Sequence, residues 1–167
     1  MSCLGVLFSL DKTTVDKLKS FKDDNDRLDY LQEKIEEPMM NNEPERFAEL
    51  DKAWDALHRS LTDGTLDFNN GAFPLNHVVM GGEILYRQDD YIMILKTPDQ
   101  VQKIAEKIET VTEAQLRTGY NSITSESYGM PTSDDDFDYT WEWFQESIKF
   151  WKKAAEERRY VLFTADQ

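Results

Sequence analysis

Two histidines are the side chains of this chain best suited to proton chemistry near neutral pH, because imidazole titrates there. His58 lies four residues after Trp54 and seven after Asp51. Read as helix, that spacing puts Asp51 and His58 on one face, and a histidine–carboxylate pair in a pocket can act as a general acid–base couple. The stretch from His77 to Gly81-Gly82 reads as a loop that closes over such a pocket. Asp51, Trp54, His58, His77, Gly81 and Gly82 are therefore the candidate pocket residues. The same spacing also suits a satisfied core histidine at the edge of an apolar helix face. No nucleophile sits at a recognisable elbow, so no catalytic residue is assigned and the reading leans away from an enzyme.

Metal and cofactor chemistry find little support. There is no HExxH, no histidine pair at i, i+4 and no EF-hand glycine, and Cys3 is the single cysteine. Gly81-Gly82 belongs to neither a GxGxxG nor a glycine-lysine phosphate loop. It reads as a tight turn before a strand. No metal and no cofactor are expected.

The densest charge is acidic. Asp134, Asp135, Asp136 and Asp138 surround Phe137 and are followed by Tyr139 and Trp143. One reading is a solvated helix start. The other is a partner surface made of Asp134, Asp135, Asp136, Asp138 and Tyr139, with aromatic anchors and with carboxylates that speed association with a basic protein. The whole chain supports that polarity, with 33 acidic against 19 basic residues and a formal charge of −14. Such a field repels phosphate, which argues against nucleic acid and anionic membranes as partners. No apolar run could span a bilayer, and the N-terminus lacks a basic n-region, so a cytoplasmic location is expected.

These residues need elements to hold them. Leu4 to Leu10 and Tyr160 to Ala165 read as buried strands, and Ile84-Leu85-Tyr86 and Tyr91 to Leu95 as a hairpin around Gln88-Asp89-Asp90. Val15, Leu18 and Phe21 predict a first helix, and Leu28, Leu31 and Ile35 continue the pattern after the polar break Asp23-Asp24-Asn25-Asp26. Pro38 to Pro44 reads as a loop. Phe47, Leu50, Trp54, Leu57 and Leu61 share one helical face, with Gly64 as a stop signal. Thr65 to Gly82 is loop-like. Thr97 with Gln100 and Thr112 with Gln115 mark two capping boxes, the first followed by Pro98 at a first helical position. Ser122 to Ser133 reads as a polar loop.

A last helix then carries Phe137, Trp141, Phe144, Ile148, Trp151 and Ala155. Trp143 and Phe150 form a second stripe, which predicts cover on two sides. Its aspartates at the start and Lys152, Lys153, Arg158 and Arg159 at the end suit the helix dipole. The Trp141 and Trp151 stripe reads as core.

Asp51-Lys52-Ala53-Trp54-Asp55-Ala56-Leu57-His58-Arg59-Ser60-Leu61-Thr62-Asp63-Gly64 resembles the signature of the YfbM-like family of bacterial proteins of unknown function. The likeness extends to Met1-Ser2-Cys3-Leu4-Gly5, to Pro74-Leu75-Asn76-His77-Val78-Val79-Met80-Gly81-Gly82, and to Leu95-Lys96-Thr97-Pro98-Asp99-Gln100-Val101. Phe150 to Glu156 with Tyr160-Val161-Leu162-Phe163 completes it. The resemblance implies a compact α+β domain and transfers no catalytic residues.

The expectation is one domain over residues 1–167 with a small sheet packed against several amphipathic helices. Its expected function is non-enzymatic protein binding, with an acidic immunity-type inhibitor of a toxin as the concrete case. The alternative is a small-molecule or enzymatic pocket around Asp51, Trp54, His58 and His77.

Overall fold

The computed structural model describes residues 3–86, 88 and 90–166. Its centre is one antiparallel sheet of β1 (Gly5–Leu10), β2 (Phe47–Asp51), β3 (Glu83–Tyr86), β4 (Tyr91–Lys96) and β5 (Tyr160–Asp166), in the order β2-β1-β5-β4-β3. Side chains alternate between its two faces, and both faces are covered. Val6, Phe8, Leu10, Met93, Leu95 and Leu162 enter one core. Leu7, Ile92, Ile94, Val161, Phe163 and Ala165 enter the other. A strand covered on both sides must be apolar at nearly every position, which is why β1, β4 and β5 read as unbroken runs.

The first helical layer is α1 (Lys12–Ser20), α2 (Asp24–Tyr30), a π-helical turn at Leu31–Glu36 and α3 (Glu37–Asn42). Asp11 caps α1 by accepting from the Thr14 amide at 2.8 Å. Asp23 caps α2 by accepting from the Asn25 and Asp26 amides. The polar break is thus a helix start. The expected loop at Pro38 is helical as far as Asn42. Pro38 falls in the first turn of α3, directly after the π-helical turn, so its missing N–H coincides with a change in the hydrogen-bond ladder.

The second layer is α4 (Trp54–Leu61), α5 (Pro98–Ile108), α6 (Glu113–Tyr120), α7 (Ser125–Tyr128) and α8 (Asp134–Glu156). Both capping boxes form, on α5 and on α6. Ser133 caps the 23-residue α8. Phe137, Phe144, Phe150 and Trp151 are buried, while Trp141 and Ile148 are partly covered against the same core. Trp143 stays partly exposed, so the second stripe of α8 is covered only in part.

The expected helix through Phe47 and Leu50 is corrected. Phe47–Asp51 is the strand β2, paired antiparallel to β1. Leu50 enters the core under α8, whereas Phe47 packs against the opposite one. Asp51 then turns the chain at φ 49°, and α4 begins only at Trp54. Gly64, at φ 90°, stops the chain two residues after the Thr62 C-cap. The expected loops also hold short helical turns, at Leu75–His77 and in α7. The β3–β4 hairpin forms as expected, although Asp89 in its turn lies outside the described residues. Among those residues, no helix is long and apolar enough to cross a membrane.

Candidate functional site

α4 aims His58 into the interior, where it is 0% exposed. Its Nδ1 accepts from the Met80 amide at 3.4 Å, and its Nε2 lies 2.7 Å from Asn70 Oδ1. The first contact needs an unprotonated Nδ1, so Nε2 carries the hydrogen donated to Asn70. Burial pushes the imidazole pKa down. Asn70 is itself fixed by donating to Thr62 Oγ1, Asp63 Oδ1 and Thr65 O. Bonds from Thr65 and Asn70 hold Asp63 down to about 2. His58 is therefore a neutral, satisfied imidazole that ties α4 to the following loop and to Met80.

Beside it lies a basic group that sequence reasoning missed. Lys96, the last residue of β4, is 0% exposed. Its Nζ donates to the Val79 carbonyl and sits 5.4 Å above the Phe163 ring. Burial pushes its pKa far below the usual lysine value. A signal was available: Lys96 has the parity of Ile92 and Ile94, which places it on the same covered face.

His77 joins this cluster from the other side. Its Nδ1 lies 2.7 Å from Asn76 Oδ1, and its ring meets Phe73 edge-on at 4.9 Å. Burial first, and then the Lys96 charge, lower its pKa to about 4. Gly81 allows the close packing, because a Cβ there would stand 2.5 Å from His77 Nδ1. Gly82, at φ 136°, completes a turn into β3.

His58, His77, Gly81 and Lys96 thus surround the Val79-Met80 backbone. A buried lysine with a lowered pKa is an amine suited to nucleophilic or basic chemistry. Here it is spent on a carbonyl and shut off from solvent.

Asp51 is not part of this cluster. It accepts from the Lys52 amide at 2.8 Å and from the Tyr139 hydroxyl. Trp54 donates through Nε1 to Cys3 O at 2.8 Å and packs against Phe163. The expected His58–Asp51 pair does not form, because Asp51 ends a strand instead of sharing a helix face with His58. Among the described residues, no three or more His, Cys, Asp or Glu side chains gather to hold a metal ion.

The acidic segment divides by role. Asp136 accepts from the Tyr120 and Tyr128 hydroxyls at 2.7 and 3.0 Å, and burial with this contact pushes Tyr120 up to about 12. Tyr139 reaches back to Asp51. Those two side chains hold the fold together. Asp134, Asp135 and Asp138 are exposed, with Asp134 paired to Arg117 at 2.7 Å.

Asp134 and Asp138 border an open groove of about 600 Å³ between the first turns of α6 and α8, with Glu113, Ala114, Arg117 and Phe137 as its other walls. A larger groove of about 770 Å³ lies between β2 and α8, against Phe47, Ala48, Trp143 and Phe150. Reading Phe47 to Leu50 as helix had concealed it.

The covered antiparallel sheet and its two helical layers define an α+β domain with surface grooves. The model of a domain of unknown function, DUF1877, matches residues 1–164, and the chain belongs to that family. The crystal structure of YfbM from Escherichia coli, a protein of unknown function, is similar over 97% of this chain and 99% of that one, with a TM-score of 0.69 at 20% identity. That likeness supports the fold. No curated protein matches the sequence.

The histidine–lysine cluster makes stability fall in mild acid. An unfolded histidine titrates near pH 6.5 and folded His77 at about 4. Between those values the unfolded chain binds more protons, so this contribution is complete above pH 6.5 and is lost as the pH drops toward 4. His77→Gln should shrink the loss between pH 7 and 5 by on the order of 1 kcal/mol, allowing for solvent at the ring edge. Urea midpoints at the two pH values measure it. An unchanged difference would reject the assignment.

Proposed function

We propose that this protein is a non-enzymatic, protein-binding domain, with an acidic immunity-type inhibitor that covers a basic surface of its partner as the concrete case. The groove between α6 and α8 carries this reading. Glu113, Asp134 and Asp138 rim it, and Phe137 lies in its floor. Arg117 lies 5.0 Å over the Phe137 ring and partly offsets the rim. Asp135 stands exposed beside it. Each of the two helices starts with carboxylates in its first turn, so the helix dipoles stabilise negative charge there before a partner arrives. A net charge of −14 extends the same field beyond the groove.

The test neutralises only the carboxylates that the fold does not use. Glu113→Gln, Asp135→Asn and Asp138→Asn together leave the Arg117–Asp134 pair and the Tyr120–Asp136–Tyr128 bonds intact. A basic partner captured with wild-type bait should associate at least about tenfold more slowly with the triple variant at low salt, with a shallower salt dependence. A partner retained equally and at the same rate by both would rule this groove out.

A further inference from the structure

A second surface, independent of the acidic groove, runs along the edge of the sheet. β2 is the outermost strand on its side, bonded through its inner edge to β1. Among the described residues, the backbones of Phe47, Ala48 and Glu49 make no hydrogen bond outside that strand ladder. An outermost strand presents an outer row of N–H and C=O groups to any extended chain laid beside it. Beside β2 lies the groove of about 770 Å³, a volume in the range of ligand sites.

Its opposite wall is one side of α8, from Trp143 through Phe150 to Lys153. The walls match in length. A five-residue strand spans about 17 Å, and ten helical steps from Trp143 to Lys153 span about 15 Å. The Tyr139 ring meets Trp143 edge-on at 6.3 Å, so the indole is held in place beforehand.

The groove also has a direction. The Tyr139–Asp51 bond ties the two walls at one end, and the Arg46–Glu157 pair, at 2.7 Å, ties them at the other. β2 and α8 therefore run antiparallel. Glu49 and Glu146 lie toward the Asp51 end, while Lys149 and Lys153 lie toward the Arg46 end, where their two charges outnumber the single carboxylate of Glu45. A strand added antiparallel to β2 would set its N-terminal side at the acidic end and its C-terminal side at the basic end.

We propose that the β2–α8 groove binds an extended peptide segment by antiparallel strand addition, with a Lys or Arg at the segment's N-terminal side, aliphatic residues at alternate positions over Ala48, Trp143 and Phe150, and a carboxylate at its C-terminal side. Main-chain bonds to the free edge supply sequence-independent affinity, and the alternate side chains and end charges supply selection.

The probe is a pair of blocked peptides of one composition, Lys-Val-Thr-Val-Thr-Val-Glu and the charge-swapped Glu-Val-Thr-Val-Thr-Val-Lys. Binding is followed by calorimetry and by hydrogen exchange of the β2 amides. The first peptide should bind at least about tenfold more tightly and should slow exchange in β2. The double variant Glu49→Lys with Lys153→Glu exchanges two exposed end charges and should reverse the preference. Methylating alternate peptide nitrogens should abolish binding to either protein. No binding at millimolar peptide, equal binding of the two peptides, or binding without slower exchange in β2 would each overturn the proposal. The α6–α8 triple variant should bind the first peptide like wild type, so the two surfaces can fail separately.

Discussion

Trp54→Ala should lower the stability of the domain by about 3–5 kcal/mol, the range for truncating a buried tryptophan. The indole is 4% exposed and packs 5.7 Å from the Phe163 ring of β5. Its N–H donates to Cys3 O at 2.8 Å, so the change also leaves a carbonyl without its partner. Gly5 of β1 lies so close that a Cβ there would meet the indole at 2.7 Å. One side chain thus joins α4 to β1 and β5, and its truncation opens a cavity between them. Urea denaturation followed by circular dichroism measures the loss. Trp54→Phe, which keeps much of the packing, should fall between wild type and alanine. A midpoint for the alanine variant within error of wild type would refute the role given to Trp54.

The second large effect has a sign opposite to the usual helix rule. Gly119 lies within α6, where exchanging glycine for alanine ordinarily helps a helix by about 1 kcal/mol. Here an added Cβ would lie 1.8 Å from the Ser60 carbonyl oxygen of α4. That oxygen belongs to the backbone and cannot rotate away, so the two helices must separate. Gly119→Ala should therefore destabilise, at or above the upper end of the about 1–3 kcal/mol typical of overpacking. For a domain of this size, 3 kcal/mol corresponds to a melting temperature lower by about 6–12 °C. A variant that melts at or above the wild-type temperature would show that α4 and α6 do not meet so closely.

Much of the fold was legible because its signals are local. Thr97 with Gln100 and Thr112 with Gln115 mark helix starts that need no tertiary information, and the aspartates from Asp134 mark another. The continuous apolar runs of β1, β4 and β5 report two covered faces. β2 was hidden because Phe47, Leu50, Trp54 and Leu57 also fit a helical period. Pairing with β1 overrode that pattern, and Asp51 at φ 49° separates the strand from the helix.

The candidate site was legible in parts for the same reason. His77 and Gly81 pack together in the turn whose Met80 amide bonds to His58 on α4. Asp51 was assigned to them through a helix that does not reach it. Lys96 went unnoticed because a lysine that ends a strand is ordinarily solvated, and only its parity with Ile92 and Ile94 placed it inside. The aspartates of α8 looked alike as text. The hydroxyls of Tyr120 and Tyr128, brought in by chain folding, single out Asp136 as structural.

The middle of the sheet is made of the strands farthest apart along the chain. Gly5 pairs with Ala165 and Leu10 with Tyr160. On the ribosome, β1 leaves the exit tunnel early and waits through synthesis of the intervening chain, roughly 10–30 s at ordinary elongation rates, before β5 exists to cover its inner edge. Every position of β1 is buried in the finished protein, so the waiting strand is an aggregation-prone segment that nascent-chain chaperones are suited to shield. A stop codon just before Tyr160 would remove the partner of both β1 and β4 and leave two hairpin-like halves with bare apolar edges. Ribosomes that terminate there would release a substrate for proteolysis, not a shortened domain.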